Sequence, residues 1–171
     1  FDRLQLDKED RLWLTISFLC GFTALAYEVV WTRLLVFSMG STVYSFSMML
    51  ANFLFGITVG GLLIVPFFKR KINFRLLLSL FQFGIGLYLI FSLYQSNWIL
   101  SSFIRPFRLG NPITEFWINM RNASALMFVP TVLFGMSFPV LTHLVTKGSQ
   151  DIGSSLGIVY GMNTLGAITG S

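Results

Sequence analysis

The chain has 171 residues, of which 54% are hydrophobic and only 11% charged, and its mean hydropathy is +0.73. A water-soluble domain carries about 25% charge, so a soluble domain is excluded and an integral membrane protein is expected. The formal charge of +5 comes mostly from Lys and Arg flanking the apolar runs, which is a mark of membrane topology and not of nucleic-acid binding.

The expected fold class is all-α. The reading is an integral membrane helical bundle of about five transmembrane helices, with an interfacial segment between helices 3 and 4. Spans are expected near residues 12–38, 43–65, 76–94, 123–145 and 153–171. Asp2 to Arg11 is a polar lead-in of mixed charge. The opening Phe1 is not an initiator Met, so the expectation is a start inside a longer chain; the first apolar run is too long for a signal peptide.

From Arg11 to Arg33 a helix would rise about 33 Å, close to a full bilayer core. Arg33 then belongs near the far interface, where it can snorkel, and Glu28 lies roughly 7 Å deeper. Five residues separate the two charges, about 140° around a helix, so they cannot form the local i,i+4 pair. Tyr27 and Trp31 suit an interfacial aromatic belt. Cys20, the one cysteine, reads as a small buried apolar residue.

A tight turn is expected at residues 39–42. The second span carries Asn52 and the step Gly56 to Gly60, and ends at Pro66 and the run Lys69-Arg70-Lys71. Residues 95–122 mix Trp98, Phe103, Phe107, Phe116 and Trp117 with Arg105, Arg108 and Glu115. That mixture suits one or two short helices at headgroup level. In the fourth span Pro130 and Pro139, with Gly135 between them, predict a break or kink. His143 is the only histidine, which rules out a multi-histidine metal site; a capping or interface role is the plainer one. A short polar turn at 147–151 precedes a weakly hydrophobic fifth span, expected to stop mid-element. It holds Asn163, Thr164 and two more steps, Gly157 to Gly161 and Gly166 to Gly170. Such steps let helix backbones approach closely in lipid. No strand pattern precedes any of them, so a nucleotide-binding loop is disfavoured.

Eight of the twelve basic residues fall on the side of the N terminus, which predicts a cytoplasmic N terminus. No Ser-His-Asp arrangement, His/Cys cluster or haem attachment motif is present. The sequence therefore assigns no catalytic residue, no metal and no cofactor. Glu28 heads the candidate polar or binding residues, followed by Arg33, Tyr27, Trp31, Asn52 and Asn163. A carboxylate there either sits in a fixed network between helices or serves as an ion or substrate site.

Four stretches together carry a resemblance. They are Phe18 to Leu35, with its Tyr27-Glu28-Val29-Val30-Trp31-Thr32-Arg33 core; Gly40 to Ser47; Val129 to Leu141; and Gly157 to Ala167, with Asn163-Thr164-Leu165-Gly166. The chain resembles the membrane portion of bacterial spermidine synthase-like proteins, in which a transporter-like membrane domain is fused to a spermidine synthase. The resemblance implies a bacterial inner-membrane location and an anchoring and packing role, with a polar or cation site at Glu28. Aminopropyl transfer would reside in a soluble domain that this sequence does not contain. Two alternatives stay open: an accessory or scaffold subunit of a larger membrane complex, and a transporter-like module for a polyamine or other cation. Expected partners are the lipid bilayer and either other membrane subunits or further copies of the chain, with no nucleic acid.

Overall fold

A computed structural model describes residues 8–39, 42–94, 111–147 and 151–171, and these form helices and short connections without a strand. Helix α1 runs Lys8–Met39, α2 Thr42–Ile64, α3 Phe74–Tyr94, α4 Pro112–Thr146 and α5 Ile152–Gly170, with a 3-10 turn at Val65–Lys69 between α2 and α3. The protein is an all-α bundle. Four helices, α1 to α4, are long and apolar enough to cross a membrane. Helix α5 is a 19-residue helix, diluted by Gly, Ser, Thr and Asn, and does not match the other four in hydropathy.

The exterior explains the composition. Phe83, Leu87, Ile90 and Phe91 on α3, and Leu54, Phe55, Leu62 and Leu63 on α2, are all exposed. In water so much exposed apolar surface would drive association; against acyl chains it is an ordinary exterior. The bundle is therefore a membrane-embedded helical domain.

Residue pairs fix the helix directions. Ser17 donates to the Val159 carbonyl at 2.8 Å, and Phe18 and Phe22 meet Gly166 and Gly170, so α1 and α5 run parallel. Asn52 meets Ser124, Gly56 meets Thr131 and Gly60 meets Met136, so α2 and α4 also run parallel. Gln82 reaches Ser137 and Tyr88 reaches Ala125, so α3 runs against α4. The chain thus alternates direction through all five helices. Helix α4 touches every other helix. Half of its apolar window is buried, against 22% for α1 and α3, which makes α4 the central helix.

Glycines hold each parallel pair together. A methyl on Gly21 would overlap the Asn163 carbonyl, and one on Gly166 or Gly170 would overlap the Phe18 or Phe22 carbonyl. Between α2 and α4, Gly60 lies against the Val132 carbonyl and Gly135 against Ile57 backbone. Backbone touches backbone, so many weak dispersion contacts and Cα–H···O contacts add up where no hydrophobic drive exists between helices.

Three expectations need correction. The fourth helix starts at Pro112, not near residue 123, and is continuous for 35 residues. Asn111 begins it, its side chain accepting from the Ile113 N–H at 3.1 Å, with Pro112 at the first helical position where no donor is needed. Phe116 and Trp117 thus belong to that helix, while the aromatic and arginine residues from 95 to 110 lie outside the described residues. Nor do Pro130 and Pro139 interrupt the helix. Each removes an N–H and leaves the carbonyl four residues earlier without its donor. The freed carbonyls are those of Leu126 and Gly135, whereas the side-chain bonds on this helix fall on others: Tyr88 donates to the Ala125 carbonyl, and Ser137 donates to Leu133 at 2.7 Å. The helix continues through both prolines while packed against each of the other four helices, the setting in which proline is tolerated inside membrane helices. The turn expected at 39–42 falls on Gly40 and Ser41, outside the described residues.

Candidate functional site

Glu28 is half-buried on α1, and Arg33 is exposed one and a half turns further on. The Glu28 backbone carbonyl accepts from the Thr32 hydroxyl at 2.8 Å. Its carboxylate has no hydrogen-bond or ion-pair partner among the described residues. A fixed interhelical network around this carboxylate is therefore not seen there. An ionised group costs about 2.5–3.5 kcal/mol at the centre of a span on insertion scales and less toward the interface, so a cation or a proton on the carboxylate would relieve what remains.

Tyr27 and Trp31 point inward, and this corrects the belt expectation. Trp31 is 6% exposed and packs with Leu35, Met49, Ala123, Leu126 and Met127. Tyr27 sits beside it, ring centroids 6.2 Å apart, and makes an edge contact with Phe134 at 5.7 Å. Its hydroxyl donates to the Ile85 carbonyl on α3 at 3.4 Å. The reason is the hairpin of α1 and α2: the face bearing Tyr27, Trp31 and Leu35 is the one turned to α2 and α4, one turn apart each time.

Two polar layers cross the bundle. In the first, Asn52 is 6% exposed. Its amide donates to the Met48 carbonyl at 2.9 Å and to Met120 Sδ at 3.3 Å. The Ser124 hydroxyl reaches Asn52 Oδ1 at 2.6 Å. In the same α1–α2–α4 region two buried atoms lack partners, the indole Nε1 of Trp31 and Oδ1 of Asn119. In the second layer Gln82 of α3 donates to Cys20 Sγ and to Ser137 Oγ, both at 3.3 Å. This layer bridges α1 and α3, whose backbones nowhere come into close approach. Long side chains span the separation: Gln82 here and Tyr27 at Ile85. Sequence reasoning missed Gln82, Ser124 and Ser137. Their signal was present, since polar side chains inside apolar runs mark interhelical bonds.

The candidate residues do not converge on one site. Tyr27 and Trp31 adjoin; Asn52 has its own network on the α2–α4 pair; Asn163 is half-buried on α5 with its backbone against Gly21. Of the packing glycines, Gly56, Gly60, Gly166 and Gly170 each face a partner helix, whereas Gly157 and Gly161 have open space where a Cβ would stand. His143 lies between Phe74 and Phe68, at centroid distances of 4.7 and 5.1 Å, and forms an aromatic contact at the end of α4. No group of three metal-ligating side chains occurs among the described residues.

Chemically, Asn52 and Gln82 find their partners within the protein, while Trp31 Nε1 and Asn119 Oδ1 do not. Interhelical bonds of this kind average about 0.6 kcal/mol in lipid, and they set register. The one ionisable group in the interior half of a span that is left without a protein partner is Glu28, among the described residues. No family model, curated protein or solved structure matches the chain.

Proposed function

We propose that this chain is the membrane-embedded helical domain of a spermidine synthase-like protein, with an anchoring and packing role and a cation site at Glu28. The observation that carries the site is the half-buried Glu28 carboxylate on an apolar helix, without a partner among the described residues. A polyamine or other organic cation supplies the missing positive charge at the carboxylate. The bacterial inner membrane and a cytoplasmic N terminus belong to this reading, the latter supported by the distribution of Lys and Arg. Aminopropyl transfer belongs to a domain outside this sequence.

The test is spermidine binding by the purified chain in liposomes, compared with Glu28→Gln. The reading expects saturable binding that falls at least about tenfold in the variant, the loss of one charge-assisted contact. Equal binding by both proteins would remove Glu28 from the account.

A second reading, a scaffold subunit of a larger membrane assembly, has one observation in its favour. The open row of Gly157 and Gly161 on α5 has the shape that a further helix could approach closely. The transporter-like reading loses the discontinuous fourth helix on which it leaned, because α4 is unbroken.

A further inference from the structure

The end of the bundle where α2 finishes and α3 begins is built differently from the rest. The apolar windows of α2 and α3 stop at Lys69 and start at Phe74, so the connection between them sits at headgroup level. Its backbone is pinned. The Arg70 N–H donates to Phe67 and the Ile72 N–H to Arg70, both at 3.0 Å. Asn73 caps α3, its Oδ1 accepting from the N–H groups of Arg75 and Leu76 at 3.1 and 3.3 Å.

Two arginines rest on aromatic rings there. The Arg75 guanidinium lies 5.5 Å from the Trp13 ring centroid on α1, and that of Arg70 lies 5.9 Å from the Phe67 ring. Trp13 and Phe74 are core residues, and Phe67 and Phe68 pack against the same cluster. The rings are therefore a fixed floor and the guanidinium groups are held above it with reduced freedom. Lys69 and Lys71 are exposed beside them. The N-termini of α1, α3 and α5 point to this end and the C-termini of α2 and α4 lie there too, so the helix dipoles largely offset one another and the positive charge is that of the side chains; α3 has no acidic residue in its first turn. Asp151 at this end is used to cap α5, accepting from the Ser154 N–H at 3.2 Å.

We propose that Arg70 and Arg75, floored by Phe67 and Trp13 and flanked by Lys69 and Lys71, form a binding site for the phosphate headgroup of an anionic phospholipid. The chemistry fits: a planar guanidinium pairs with phosphate oxygens through two parallel N–H donors, and basic clusters at the membrane edge attract anionic lipid. The acyl chains of such a lipid would lie along the exposed Leu76, Leu80 and Phe83 face of α3. The proposal stands apart from the Glu28 reading, since it uses none of its residues.

Native mass spectrometry of the purified full chain, titrated with phosphatidylglycerol, phosphatidylcholine or inorganic phosphate, tests it. Each basic residue near anionic lipid contributes roughly fivefold, so Arg70→Gln with Arg75→Gln should weaken phosphatidylglycerol binding about 25-fold. Phosphatidylcholine binding should not change. Arg70→Lys with Arg75→Lys, which keeps the charge, should fall between the two and guards against loss of fold. Equal affinity for both lipids, or an unchanged affinity in the double Gln variant, would overturn the proposal. Inorganic phosphate binding as tightly as phosphatidylglycerol would overturn the lipid assignment and make the site one for a free anion.

Discussion

Helix α5 carries the same glycine step twice, and the two copies have different surroundings. Gly166 and Gly170 are pressed against the Phe18 and Phe22 carbonyls of α1, while nothing lies within 4 Å of a Cβ built on Gly157 or Gly161. The spacing is identical; the partner surface is not. Close approach needs a second helix whose own side chains leave room. Helix α1 offers that at Gly21, against the Asn163 backbone, and α4 does the same for α2 through Gly135 at Ile57. A glycine step is thus half of a contact, and the complementary glycine on the facing helix is the other half.

The largest test of that comparison is Gly60→Leu. The added side chain would drive into the Val132 carbonyl and the Met136 N–H, and overpacking a tight contact costs about 1–3 kcal/mol or more. Reversible unfolding in mixed micelles should show it, and an unchanged unfolding midpoint would break the comparison. Its neighbour gives the contrast: Gly61 has nothing within 4 Å of a Cβ, so Gly61→Leu should stay within about 0.5 kcal/mol of the wild type, as surface changes do. Between these extremes lies Asn52→Leu. It deletes the bonds to Met48, Met120 and Ser124, and removing an interhelical polar contact in lipid costs about 0.6 kcal/mol on average, up to about 1.7. A loss as large as that of Gly60→Leu would mean that polar bonds and not backbone contact hold α2 to α4.

Much of the architecture could be read from hydropathy, because lipid demands long apolar runs wherever a helix crosses. The first three spans fall within about three residues of the helices expected, apart from the N-terminal extension of α1 to Lys8. The extension of α4 back to Pro112 was hidden by Arg121, Asn119 and Trp117, which look interfacial yet prolong a membrane helix. The prolines suggested a break that α4 does not have, because the neighbouring helices packed around it leave no signature within α4 itself. Trp31 was misplaced because its type suits a belt, and only the α1–α2 hairpin turns it inward. Gly21 and Gly135 stand outside any paired step, so nothing local marks them as contact points. Glu28 was conspicuous from the start as a carboxylate in an apolar run, but its lack of a partner among the described residues is a property of the assembled helices.

The most direct measurement is the unfolding free energy of two single-methyl variants of α5 in lipid micelles. Gly166→Ala should destabilise by about 1–3 kcal/mol, since the methyl meets the Phe18 carbonyl. Gly161→Ala should be neutral or stabilising by up to about 1 kcal/mol, because alanine is the better helix former and the space is open. A clear loss of stability in Gly166→Ala and none in Gly161→Ala is the predicted result. Equal effects in the two variants would contradict the account, because the methyl would then be indifferent to whether α1 lies beneath it.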